Sequence, residues 1–210
     1  MALSALEVHS LKTAPPVEGV LPAVLNRWSS RAFSSRDITT EDLRKLFEAA
    51  RWAASAFNEQ PWRFVVGVRG SATHAALAKS LMAFNQAWAP NAPVLILTVA
   101  NTRFTHNGTQ NTYALYDVGA AAATLTLQAA ELGMTTHTMA GFDQAAARQA
   151  LQIPDEFTLC TVIALGYQGE PGSLEEAQLL ALETSPRTRK PLNELVFSAW
   201  GQAAELTHPA

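Results

Sequence analysis

The amino-acid sequence predicts a single α+β domain. Three observations lead there. Apolar runs of strand length occur at Phe64–Val68, Val94–Val99 and Thr158–Leu165, each bounded by turn residues. The segments between them carry helical periodicity instead of strict alternation. No repeat, low-complexity tract or linker divides the 210 residues, a length that suits one domain with a sizeable core.

Hydrophobic residues make up 48% and charged residues 16%, which argues against global disorder. A net charge of -3 offers no general reason to expect nucleic acid or an anionic membrane as partner. One cysteine cannot form an internal disulfide, so a cytoplasmic location fits. The N-terminus lacks the basic start and apolar run of a signal peptide. No apolar segment is long enough to cross a bilayer; the richest, Pro93–Ala100, is strand-sized.

Residues 1–18 show no sustained periodicity and contain Pro15-Pro16, so they read as an N-terminal arm. Leu21–Trp28 is predicted to be a short helix, with Pro22 tolerable only in its first turn. Thr39 starts the clearest helix: Thr39-x-x-Asp42 resembles a capping box with Asp in the place of Glu or Gln. Leu43, Leu46, Phe47 and Ala50 then form an apolar stripe. Phe64–Val68 is a strand ended by Gly70, and Ala72–Trp88 reads as one helix. Pro93 precedes the second strand at a boundary where a missing donor is harmless. Residues 101–112 are polar, contain Asn107-Gly108, and read as a mobile loop.

Tyr113–Leu132 is a long helix stopped by Gly133. Its middle, GAAAATLTLQAA, is small and apolar on every face and must be buried all round. A second subunit covering part of it would achieve this; so would wrapping by its own chain. Thr135–Met139 is a short extended run, and Asp143 caps a helix through Leu151. Leu174–Leu182 and Leu192–Trp200 are predicted as the last helices.

Two sets of residues could carry chemistry. In Arg51–Phe64, a helix end presents Ser55, Phe57, Asn58 and Gln60 before Pro61 breaks into a strand. A loop held between a helix and a strand offers polar groups to a ligand from a rigid base, and the same residues also fit a capped turn. Basic residues cluster as Arg27-x-Ser29-x-Arg31 near one end and Arg187-x-Arg189-Lys190 near the other. Guanidinium forks suit phosphate oxygens, so two clusters could close on one phosphate; they could equally be solvated surface charge. Cys160 lies in an apolar strand and reads as core packing. The histidines show no metal-ligand spacing, and Gly166-x-x-Gly169-x-x-Gly172 misses the dinucleotide fingerprint.

Several stretches together resemble the FMN-dependent nitroreductase family. Ser55, Asn58, Gln60, Pro61 and Trp62 match its Pro-Ser-Ser-x-Asn-x-Gln-Pro-Trp pattern, while Ala54 and Ala56 depart from it. Arg27-x-Ser29-x-Arg31 followed by Ala32-Phe33 is similar to the family's opening. Arg187, Arg189 and Pro191-Leu192 are similar to its ending. Met139-Ala140-Gly141-Phe142-Asp143, Asp117-Val118-Gly119 and Val162–Gly166 also have counterparts, so the resemblance runs from Arg27 to about Val196.

The resemblance implies a nitroreductase-like fold: a central, mainly antiparallel sheet surrounded by helices, with the long helix buried in a homodimer. It implies FMN held by Arg27, Trp28, Ser29, Arg31, Ser55, Ala56, Phe57, Asn58, Gln60, Met139, Ala140, Gly141, Arg187 and Arg189. Arg187 and Arg189 would grip the phosphate, with Arg27 and Ser29 on the ribityl-phosphate side. Arg31 would lie at the pyrimidine edge, the Ala140-Gly141 backbone would face flavin N5, and Ser55 and Asn58 would reach across from the partner subunit. Flavin N5 would carry the chemistry, with no protein nucleophile and no metal. The implied activity is hydride transfer from NADH or NADPH to a nitroaromatic, quinone or similar conjugated acceptor in a ping-pong cycle. Other readings on the same scaffold are a flavin carrier or sensor without turnover, and a non-nitro reaction such as dehalogenation or flavin breakdown.

Overall fold

The structure, a computed structural model, describes residues 3–207. Eight helices are described: α1 (Ala5–Lys12), α2 (Pro22–Asn26), α3 (Thr40–Arg51), α4 (Ala72–Ser80), α5 (Ala83–Gln86), α6 (Ala114–Glu131), α7 (Gln144–Leu151) and α8 (Ala177–Thr184). The strands are β1 (Trp62–Val68), β2 (Val94–Asn101), β3 (Thr135–Met139), β4 (Phe157–Gly166), and a small hairpin of β5 (Phe197–Ala199) and β6 (Gln202–Ala203). The main sheet has the order β1-β2-β4-β3 with every pair antiparallel. The α+β class and the mainly antiparallel sheet are therefore as the sequence and the resemblance led us to expect.

Helices cover both faces of this sheet, which explains why most of β2 and β4 is apolar without alternating, threonines such as Thr98 and Thr161 being the exceptions. Val94, Ile96, Ile163 and Leu165 face α3 and α6, where Leu46, Ala50, Val118, Ala121 and Leu125 are buried. Leu95, Leu97, Val162 and Ala164 face the other way, against Leu77, Trp88 and Ala147. Local signals act where they were read. Thr39 Oγ1 accepts from the Asp42 amide at 3.0 Å, and Asp143 Oδ1 accepts from Ala146 N at 3.0 Å. Gly133 takes φ +71 just past α6.

Three expectations need correction. Ala72–Trp88 is not one helix; it breaks at Leu81-Met82. There Met82 N donates to Gly141 O and Asp143 N to Ser80 O, so pairing with a distant segment replaces the helical ladder. Leu192–Trp200 is not a helix either. A short 3-10 turn at Leu192–Glu194 leads into the β5–β6 hairpin, whose turn uses Gly201 at φ +79. Residues 1–18 contain α1, and its Val8 is fully buried. Within one chain α6 buries only the stripe Ala114, Asp117, Val118, Ala121, Leu125 and Ala129; Leu115, Tyr116, Gly119 and Ala123 stay exposed. Its own chain does not wrap it. Among the described residues no helix is long and apolar enough to cross a membrane.

Candidate functional site

Residues 27–33 leave α2 in extended conformation and run beside β3, with Thr135 Oγ1 donating to Trp28 O at 3.3 Å. They then cross residues 167–169 closely, through Ser34 N to Tyr167 O and Gly169 N to Ala32 O. The crossing requires Gly169, because a Cβ there would lie 2.6 Å from the Phe33 backbone. From the side, α8 presents Glu183, fully buried, whose oxygens accept from Ser30 Oγ (2.6 Å), Arg31 N (2.9 Å) and Ala32 N (3.3 Å). Four residues on, Arg187 donates to Leu25 O and Arg27 O. Glu183 and Arg187 thus clamp the 25–32 segment, and this is how the two ends of the chain meet.

Behind the clamp lies a cavity of about 190 Å³ lined by Lys12, Arg27, Trp28, Ser29, Arg187 and Arg189. Among the described residues none of these four cations is ion-paired. Burial lowers the pKa of Arg27, and Arg189 lowers it further. Arg187 is lowered by burial and then by Arg189 and Arg27. Burial likewise lowers Lys12, against the raising influence of Glu183. Like charges crowded in this way, three of them partly desolvated and none ion-paired, favour an anion among them.

Arg27 and Ser29 also border a larger groove of about 810 Å³, so the two spaces adjoin. One wall is the small-residue face of α6, with Gly119, Ala122 and Ala123; the floor is a row of threonines from β2, β3 and β4, including Thr98, Thr138 and Thr161. Cys160 lines it too, half-buried, its thiol pushed up to about 11 by burial and therefore held as the unreactive thiol.

Arg31 points elsewhere. Its guanidinium lies 5.9 Å from the ring centres of both Phe84 and Trp88, and its buried Nε has no hydrogen-bond partner among the described residues. His137 packs 4.6 Å from Trp88 and lies 3.2 Å from Ser30 O through Nδ1, which must therefore carry the hydrogen. Burial, and then Arg31, lower the His137 pKa to about 4, so the ring is neutral at pH 7. Met139 is buried at the end of β3, Ala140 is exposed, and Gly141 O accepts from Met82 N and Asn85 Nδ2.

The Ser55–Gln60 loop sits away from this cavity in the same chain. Phe57, Asn58 and Gln60 adopt φ of 52°, 55° and 50°, the left-handed region that Phe and Gln avoid. The bonds that hold it are Gln60 N to Ser55 Oγ (3.0 Å), Ala56 N to Asp117 Oδ2 (3.1 Å) and Thr105 N to Glu59 Oε1 (2.8 Å). Asp117 is buried in the first turn of α6, where a carboxylate is favoured by the helix dipole. Phe57 meets Phe104 edge-on at 5.6 Å, and His106 packs on both, tying the 101–112 loop to this one.

The structure therefore gathers Arg27, Trp28, Ser29, Arg187 and Arg189. It places Arg31 and Met139–Gly141 nearby, around Met82–Trp88, and leaves Ser55–Gln60 on a separate rim. Sequence reading missed Lys12 and Glu183. Neither belongs to a local motif; the only hint was that Glu183 is a lone acid four residues before the basic cluster.

Comparison with known proteins agrees with this architecture. The Nitroreductase family profile matches residues 24–87 and 71–167. An NADH dehydrogenase of Thermus thermophilus is 31% identical over 188 residues, covering 75% of this chain and 90% of that protein. An uncharacterized 15.4 kDa protein of Mycolicibacterium smegmatis is 34% identical over 147 residues, covering 66% of this chain and 97% of that protein. A solved structure described as an oxidoreductase containing FMN superimposes with a TM-score of 0.82 at 34% identity, covering 88% of this chain and 94% of its own. The four-stranded antiparallel sheet, the convergent termini and these matches have one reading: the chain belongs to the nitroreductase family.

Proposed function

We propose that this chain is an FMN-dependent oxidoreductase, a homodimer that takes hydride from NADH or NADPH and passes it by ping-pong exchange to a nitroaromatic, quinone or similar conjugated acceptor. The observation that carries this reading is the adjoining of an unneutralised cationic cavity and a long groove at Arg27 and Ser29. That combination fits a flat ring system bearing a terminal phosphate. The orphaned Arg31 Nε fits a polar ring edge, since a buried guanidinium donor without an acceptor is costly. When bound, FMN supplies hydride acceptance and donation at N5. The chain's residues bind and orient it: Arg27 and Arg189 hold the phosphate, and Arg187 fixes the 25–27 segment beside it. Arg31 supplies a preoriented positive charge near the ring.

The exposed stripe of α6 supports a dimer. Leu115 is 55% exposed and lines the groove, and Tyr116 is 79% exposed. The Asp117 bond to Ala56 keeps the Ser55–Gln60 loop at that same helix end. A second chain packed on α6 would bring its Ser55 and Asn58 toward the groove. The exposed Phe57, with Phe104 and His106, would then offer aromatic surface to a conjugated acceptor.

The purified protein is expected to be yellow, to release FMN on denaturation, and to bleach on adding NADH or NADPH without air. The double variant Arg27→Ala, Arg189→Ala should be isolated colourless. Full flavin retention by that variant would break the assignment of the cavity. A colourless wild-type protein that takes up no added FMN would end the whole reading.

A further inference from the structure

The N-terminal helix contributes a charged residue to this cavity. Helix α1 begins with a full capping box, in which Ser4 Oγ accepts from Glu7 N and Ser4 N donates to Glu7 Oε2. Eight residues are too few for a helix to persist alone in water, so α1 exists because it docks. Its buried face consists of two residues one turn apart, Val8 and Lys12. Docking is fixed by Ala5 N to Glu170 Oε2 (2.9 Å), Gln168 Nε2 to Ala5 O (2.9 Å) and Lys12 Nζ to Leu182 O (2.9 Å).

Half of that buried face is an ammonium group. Lys12 is 7% exposed and lies 5.2 Å over the Trp28 ring, on the wall of the cavity shared with Arg27, Arg187 and Arg189. A methionine or leucine there could cover Trp28 without desolvating a charge. Glu183, the acid nearest in influence, already accepts three hydrogen bonds from residues 30–32, and Lys12 has no ion pair among the described residues. One of the three ammonium donors is satisfied by Leu182 O. The protein thus places a buried cation, offset only by the influence of Glu183 from beyond ion-pair distance, beside three guanidinium groups, an arrangement that an anion in the cavity would complete.

We propose that Lys12 is a further phosphate-binding residue and that docking of α1 is coupled to occupancy of the cavity by a phosphate monoester. This rests on the FMN reading above. It adds that residues 5–12 form part of the binding site and are held in place by the ligand. Occupancy should tighten the helix, and loss of the ammonium should weaken binding through the phosphate alone.

The test uses the full-length chain, stripped of cofactor, titrated with FMN and with riboflavin by quenching of flavin fluorescence. Lys12→Met should bind FMN roughly tenfold or more weakly, the loss of one charge-assisted contact. Its riboflavin affinity should equal that of the wild type, and Lys12→Arg should recover most of the FMN affinity. The cofactor-free Lys12→Met protein should melt no lower than the wild type, and FMN should slow amide exchange across residues 5–12 in the wild type. Unchanged FMN affinity in Lys12→Met, alongside weakened binding in Arg27→Ala, would overturn the role of Lys12 and leave the FMN reading standing. An equal loss for riboflavin and FMN would overturn it too, by showing a general structural effect. No FMN binding by the wild type would overturn both readings.

Discussion

At the cationic end of the groove, one buried carboxylate organises three residues: Glu183 is fully enclosed and takes hydrogen bonds from Ser30 Oγ, Arg31 N and Ala32 N. Beside the first turn of α6, the Ser55–Gln60 loop keeps three residues at positive φ and leaves Phe57 84% exposed. Its hold is spread over several single bonds from Asp117, Ser55 and Glu59. The first region concentrates its stability in one group that water cannot replace. The second distributes it over three separate single bonds, to the buried Asp117 and Glu59 carboxylates and to Ser55 Oγ. A region built the first way fails cooperatively when one atom is lost, whereas one built the second way opens locally at low cost.

The largest expected effect breaks the first region. Glu183→Ala would leave the Arg31 and Ala32 amides without their acceptor and the Ser30 hydroxyl with Ala32 O alone, and should destabilise the fold by about 3–5 kcal/mol. Urea unfolding would measure this, and a loss under about 1 kcal/mol would remove the contrast between the two regions. Glu183→Gln keeps one oxygen and should lose less.

A second, smaller effect comes from His137, which touches the same segment through Ser30 O. Its pKa falls from 6.5 in the unfolded chain to about 4 in the fold, by burial and then by Arg31. The folded state therefore binds fewer protons on this ring. The stability it contributes is complete above about pH 6.5 and is lost as pH falls toward about 4. Between about pH 7.5 and about pH 5 the loss should be about 2 kcal/mol. His137→Gln should flatten that part of the pH profile in urea unfolding; an unaltered slope would mean that the ring is not responsible.

The smallest effect belongs to the strained rim. Glu59→Ala removes the acceptor for Thr105 N and the carboxylate 3.9 Å from His106 Nδ1. Global stability should change by about 1 kcal/mol or less. Amide exchange across residues 102–110 should nonetheless become markedly faster. A large global loss with no local acceleration would show that the rim is as cooperative as the clamp.

Much of this was legible in the sequence where the cause is local. The Thr39 and Asp143 caps, the stop at Gly133 and the apolar runs of β2 and β4 each depend on residues a few positions apart, and each appears where it was read. The two basic clusters were visible as clusters, and their convergence on one cavity became visible only in the fold. The errors have a common origin. Leu81-Met82 leaves the helix to pair with residues 141–142, the 192–200 segment closes into a hairpin, and α1 is held by Glu170, Gln168 and Leu182. In the first and last of these, partners outside the local stretch outweigh local propensity.

By itself the sequence determined the fold class, the order of most elements, the residue types offered to a ligand and the family pattern, because periodicity, capping and motif spacing are properties of neighbours along the chain. Only the tertiary structure decided which charges go unbalanced, that Glu183 and Lys12 are buried, and that His137 is neutral. Those depend on desolvation and on Coulomb interactions with groups more than a hundred residues away. No local pattern encodes the distance to such partners, and at these separations the distance decides the energy.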